Sequence, residues 1–200
     1  RHNGKTGPNV TPRDMPRGCR VATIDPSAHR RGSAYYAAYC YLLGDFAPYF
    51  YKTNDYGRSW TKIVNGIPTE TPTRALREDP RRPGLLFGGT EFGMYVSLDD
   101  GASWNRFVND MPVVPINDIK VHRSDLVIAT QGRGFWIMDN LTPFYQLTTQ
   151  NTYSNGNFRD VHLFAPRDAY RLRYSATAPG LSRRLGGAAG PAYPPPGAQI

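Results

Sequence analysis

Thr53-Asn54-Asp55-Tyr56-Gly57-Arg58-Ser59-Trp60 and Ser97-Leu98-Asp99-Asp100-Gly101-Ala102-Ser103-Trp104 are two copies of one pattern, Ser/Thr-x-Asp-x-Gly-x-Ser-Trp. Their tryptophans stand 44 positions apart (104 − 60 = 44). Working outward, the flanks repeat in the same order. A β-rich run precedes each copy, Tyr49-Phe50-Tyr51 and Gly93-Met94-Tyr95-Val96, and a short alternating run follows, Trp60–Val64 and Trp104–Val108. Next come the matching turns Asn65-Gly66-Ile67-Pro68 and Asn109-Asp110-Met111-Pro112. The strands after them read Thr73–Arg77 and Ile116–Val121, then Leu85–Thr90 and Leu126–Thr130.

The residue types in the box suit a tight turn between two strands. Gly57 and Gly101 supply positive φ. Asp55 and Asp99 can accept hydrogen bonds from the turn amides, while Thr53, Ser59, Ser97 and Ser103 add local hydroxyl bonds. Trp60 and Trp104 can bury a large ring and pin the turn to its sheet. An EF-hand calcium loop needs further ligands and a Glu at its twelfth position, which are missing. The box therefore reads as structural, with no metal and no cofactor.

A repeat of this length is that of a four-stranded propeller blade, ~40–50 residues. The expected fold is all-β: a β-propeller fragment of about three four-stranded blades, 19–66, 67–110 and 111–149, with residues 1–18 ending an earlier one. A weak box at Asn3-Gly4-Lys5-Thr6-Gly7 has His2 for Asp and Gly7 for Trp. Another follows Gly134-Phe135-Trp136-Ile137-Met138-Asp139 and has decayed to Asp139-Asn140-Leu141-Thr142. Twenty Gly, 18 Pro and 12% aromatics fit many short strands. No apolar run approaches the ~20 residues of a membrane span.

The net charge of +8 comes mostly from arginine, scattered except for Arg30-Arg31, Arg81-Arg82 and Arg183-Arg184 in expected turns. That is a solvated surface rather than a nucleic-acid stripe. Cys19 and Cys40 flank an expected hairpin turning between Asp25 and Gly32. A disulfide across it, implying an oxidising compartment, and two separate buried thiols both fit. His2, His29, His122 and His162 lie in separate turns or strands without metal spacing. A Ser-His-Asp hydrolase lacks its Gly-x-Ser-x-Gly context.

These boxes resemble the Asp-box, or BNR, repeats of sialidases, sortilin-type receptors and xyloglucan-degrading propellers. The resemblance is closer to large bacterial proteins described as sortilin-like (VPS10-like) or BNR-repeat glycosyl hydrolases. It rests on Asn9-Val10-Thr11-Pro12, Arg77-Glu78-Asp79-Pro80, Gly89–Ser97 and Thr130–Ile137, with Gln131 where that group usually has His. It implies the C-terminal part of the propeller, an exit segment over 150–175, and a Gly/Ala/Pro-rich linker over 176–200 opening an immunoglobulin-like domain. It also implies a secreted, periplasmic or cell-surface location.

In such a fold the boxes sit on the outer underside, and ligands usually meet the opposite face. The candidate ligand-face residues are Asp45, Phe46, Glu91, Phe92, Gln131 and Arg133. Glu91 and Arg133 hold equivalent places in successive blades, so an inter-blade ion pair or a ligand site could bring them together. The resemblance leads to a non-catalytic scaffold presenting loops to a protein or carbohydrate partner, joined to the remaining blades or to a larger assembly. The alternative is a glycoside hydrolase. It needs two placed carboxylates, for which Asp45 with Glu91 is the combination to test, or catalytic blades elsewhere.

Overall fold

The structure is a computed structural model, described for residues 9–108, 110–149, 153–154, 157–158 and 163–168. The weak first box, the turn residue Asn109, His162 and the 176–200 stretch lie outside these residues. So does much of the expected exit segment.

Three antiparallel sheets follow one another along the chain. The first has the order β1 (Arg20–Pro26), β2 (Ala34–Cys40), β3 (Asp45–Thr53), β4 (Thr61–Lys62). The second repeats it with β5 (Thr73–Glu78), β6 (Leu86–Thr90), β7 (Gly93–Ser97) and β8 (Asn105–Phe107). The third holds three strands, β9 (Ile116–His122), β10 (Asp125–Thr130) and β11 (Phe135–Met138), ordered β11-β10-β9. Such consecutive meanders, stacked face to face, are the arrangement of neighbouring propeller blades. A helix, α1 (Thr142–Thr149), and a two-residue hairpin, β12 (Tyr153–Ser154) with β13 (Asn157–Phe158), follow.

Period-two alternation decides which neighbour each side chain meets. In β2, Tyr35 and Ala37 join Leu76, Leu86 and Trp104 in the core between the first and second sheets. Tyr36, Ala38 and Cys40 point the other way, onto Tyr49, Tyr51, Met15 and Trp60. In β6, Leu86 faces the first sheet while Phe87 packs with Ile116, Ile119 and Leu126 of the third. The middle sheet is thus buried on both faces, which explains its nearly continuous apolar run.

Two adjacent glycines set how closely the sheets approach. A Cβ on Gly88 would stand 2.7 Å from the Phe50 ring, and one on Gly89 would stand 2.8 Å from Ile116. Side chains at either position would wedge neighbouring blades apart.

The expected fourth strand of the third blade is absent from the described residues. Asn140, at φ 123°, redirects the chain, and its side-chain oxygen accepts from the Thr142 amide and hydroxyl at 3.0 and 2.6 Å. Pro143 then lies in the first turn of α1, where a missing amide costs least. Leu141 is fully buried, and Phe144 packs against Phe87 and Phe107. Burying these groups between the second and third sheets draws the chain off a strand path.

Cys19 and Cys40 form a disulfide with Cα atoms 4.5 Å apart. It resolves the two alternatives the spacing leaves open, because the β1–β2 register pairs Arg20 with Tyr39 and sets the cysteines side by side.

Candidate functional site: the loop face and the innermost strands

The two box turns share one hydrogen-bond scheme. In the first, Asp55 accepts from the Ser59 amide (2.9 Å), the Ser59 hydroxyl (2.6 Å) and the Thr53 hydroxyl (2.8 Å), while Thr53 Oγ1 accepts from the Gly57 amide (3.0 Å). Asp99, Ser103, Ser97 and Gly101 repeat it at 2.9, 2.5, 2.7 and 2.9 Å. These donors, led by the Ser59 hydroxyl, hold the Asp55 carboxyl at about 2. Two residues of each turn take positive φ: Tyr56 at 62° with Gly57 at 81°, and Asp100 at 62° with Gly101 at 87°.

The tryptophans are placed alike but buried differently. Trp104 lies between the first two sheets, 3% exposed, and its indole donates to the Ile63 carbonyl at 2.8 Å. Trp60 donates to the Val10 carbonyl at 2.6 Å but is only half-buried. On that side Met15 and the ring of Tyr36 pack near it.

Asp100, the variable position of the second box, is the hub of a polar cluster. It accepts both Arg30 terminal nitrogens (2.6 and 2.7 Å), the Tyr35 hydroxyl (2.6 Å) and the Lys52 ammonium. All three donors belong to the first sheet or its β1–β2 turn, so the box of one blade clamps the blade before it. Burial alone would raise the Asp100 carboxyl; Arg30, Lys52 and Tyr35 outweigh that and hold it at about 2. Burial pushes the Tyr35 hydroxyl well up.

The opposite, loop face is built on a recurring irregularity. Each innermost strand slips register near its loop-face end, between Val21 and Thr23, between Thr73 and Ala75, and opposite Ala129 and Thr130. The unmatched residues are Ala22, Arg74 and Asn117. Such a bulge re-aims a side chain. Arg74 Nε donates to Glu91 at 2.5 Å, Nη1 to Asn117 at 2.9 Å and Nη2 to the Tyr41 hydroxyl at 3.4 Å. Its guanidinium also lies 5.8 and 5.7 Å from the stacked rings of Tyr39 and Tyr41. Three residues further along β5, Arg77 joins Asp25 of β1 (3.4 Å) to Asp118 of β9 (2.9 Å) and the Ile119 carbonyl (3.1 Å). Two arginines of β5 therefore tie three blades together. Sequence reading missed both, since a bulge leaves no mark in residue order. The signal available was a pair of arginines three apart, flanking Ala75 and Leu76 in a strand buried on both faces.

The candidate ligand-face residues are then placed as follows. Asp45 opens β3 and accepts from the Tyr49 hydroxyl at 2.5 Å and the Ala47 amide at 3.0 Å, which lowers its carboxyl. Glu91 is taken by Arg74, and among the described residues no ion pair joins it to Arg133. Gln131 and Arg133 lie in the β10–β11 turn, where the Gln131 amide donates to the Pro115 carbonyl and the Arg133 carbonyl accepts from Trp136. Phe46 and Phe92 are exposed, as are Leu42, Leu43 and Val113 on neighbouring loops. Among the described residues no three His, Cys, Asp or Glu side chains group as metal ligands, and no helix is long and apolar enough to cross a membrane.

No family model matches the chain, and no curated protein matches it in sequence. Solved structures do. The GH74 xyloglucanase from Xanthomonas campestris aligns at TM-score 0.50 and 17% identity, over 64% of this chain and 22% of that one. The GH74 enzyme of Niastella koreensis aligns at 0.48 and 16%, over 60% and 21%. YCF48 bound to D1 peptide aligns at 0.43 and 15%, over 60% and 36%. The chain spans about a fifth of the two GH74 enzymes and about a third of YCF48. The sheets, with the likeness to the Xanthomonas campestris enzyme, define the class, an all-β segment of a β-propeller. At such identities they establish the fold alone.

Proposed function

We propose that this chain is part of a non-catalytic propeller of an exported, sortilin-like bacterial protein, which presents its loop face to a protein or glycan partner. The observation that carries the reading is how that face divides its chemistry. Asp45 and Glu91 are consumed by Tyr49 and Arg74, while Leu42, Leu43, Phe46, Phe92 and Val113 stay exposed. A face on which Asp45 and Glu91 are both held by neighbouring side chains, and whose apolar groups meet water, suits recognition better than glycoside hydrolysis. The disulfide supports an oxidising compartment. The Asp-box turns act as staples, and the remaining blades of the protein are the first partners.

The test is to probe the intact protein against a peptide array and a glycan panel, beside Leu42→Ser/Phe92→Ser and a box control, Asp55→Ala. Recognition requires binding that falls at least tenfold in the double variant and persists in the control. Release of sugar from the panel, abolished by Asp45→Asn or Glu91→Gln, would instead establish the hydrolase reading.

A further inference from the structure

Two loop-face segments of the first sheet are joined covalently. The Cys19–Cys40 disulfide links the stretch before β1 to the end of β2, and a short 3-10 turn, Tyr41–Leu43, follows Cys40 directly. Gly44, at φ 77°, closes that turn, its amide donating to the Tyr41 carbonyl at 3.0 Å. Gly18 lies so close against the turn that a Cβ there would stand 3.2 Å from Leu43. Leu42 and Leu43 nevertheless remain 57% and 58% exposed.

The segment stapled to this apolar turn is basic. Arg13, Arg17 and Arg20 are exposed, and among the described residues none of them is in an ion pair. The neighbouring acids are turned to tyrosines. Burial and then Asp14 raise the Tyr51 hydroxyl, and Asp45 accepts from the Tyr49 hydroxyl at 2.5 Å. Further round the loop face the sign changes, with exposed Glu70 and Asp110 in the turns leading to β5 and β9. Guanidinium groups take carboxylates in a bidentate fork, and an exposed aliphatic pair takes apolar side chains. A neutral glycan offers the arginines no charge.

We propose that this stapled patch, Arg17 and Arg20 beside Leu42 and Leu43, docks an acidic peptide segment that carries neighbouring apolar side chains. The recognition reading of the loop face is presupposed here, and its partner gains a charge and a side-chain class.

Binding of labelled short peptides to the intact protein tests this. One peptide is rich in Asp and Glu around two leucines, a second has lysine for each acid, and a third has serine for each leucine. The first should bind at least tenfold more tightly than the other two, and more weakly as salt is raised. Arg17→Glu/Arg20→Glu and Leu42→Ser/Leu43→Ser should each weaken it at least tenfold, while Arg58→Glu, a charge reversal on the box face, leaves it unchanged. These are exposed positions, so the variants should melt as the parent does. Equal binding of the acidic and basic peptides would overturn the site and leave recognition by the loop face standing. So would binding lost in Phe92→Ser but kept in both patch variants, or capture of a glycan with no peptide bound. A protein that binds neither peptide nor glycan would overturn both.

Discussion

Asp100 shows how much one variable position of a repeated turn can decide. Its counterpart in the first box, Tyr56, shares the positive φ but is 72% exposed, whereas Asp100 gathers Arg30, Tyr35 and Lys52. Removing one partner from a partly buried cluster leaves the others uncompensated, so Asp100→Asn should cost about 2 kcal/mol in urea unfolding. The acid sensitivity follows from its carboxyl lying at about 2 against an ordinary 3.8. A carboxyl lowered by folding stabilises fully above about pH 4, and that stability drains as pH falls toward 2. Melting curves between pH 5 and 2 should be flatter in Asp100→Asn, with the remaining slope shared by groups such as Asp55. Equal slopes would mean the clamp carries no linkage.

Between elements, the close approach of blades is set where side chains are smallest. Trp104→Ala empties a site buried between two sheets and should cost about 3–5 kcal/mol; Trp60→Ala, at a half-buried site, should cost clearly less. Thermal melts of the two variants test the order, and equal losses would contradict the burial argument. Gly88→Val drives a side chain into Phe50 and should destabilise by about 1–3 kcal/mol or more. The Cys19–Cys40 bond closes a loop of 21 residues' separation. Replacing both with Ser should lower stability by about 3 kcal/mol on the loop-entropy account, read as a shift in denaturation midpoint under non-reducing conditions. A shift below about 1 kcal/mol would show that β1 and β2 hold their register without the bond.

At the scale of the molecule, three blades leave an outer face that the first two sheets bury against a neighbour. The third sheet keeps Phe135 and Ile137 in water at positions of this kind. Phe135→Ser with Ile137→Thr should reduce binding of a hydrophobic dye and self-association. Stability should change by less than about 1 kcal/mol, since exposed side chains contribute little to folding. A large stability loss would mean that this face is already covered in the isolated chain.

The repeat fixed a great deal in advance. Ser/Thr-x-Asp-x-Gly-x-Ser-Trp spells its own hydrogen bonds, because donor, acceptor and glycine lie within four residues of one another; those local contacts need no tertiary partner. The short, nearly continuous apolar runs of β2 and β6 likewise suit strands buried on both faces. What residue order left open was everything made across blades. The bulge that turns Arg74 toward Asn117, the pairing of Asp100 with Arg30, and the capture of Leu141 and Phe144 that ends the third sheet early all join residues tens of positions apart. Such contacts depend on the angle and spacing at which sheets stack. The glycines of β6 and the cores on either side set that geometry, and it exists only once the sheets have packed.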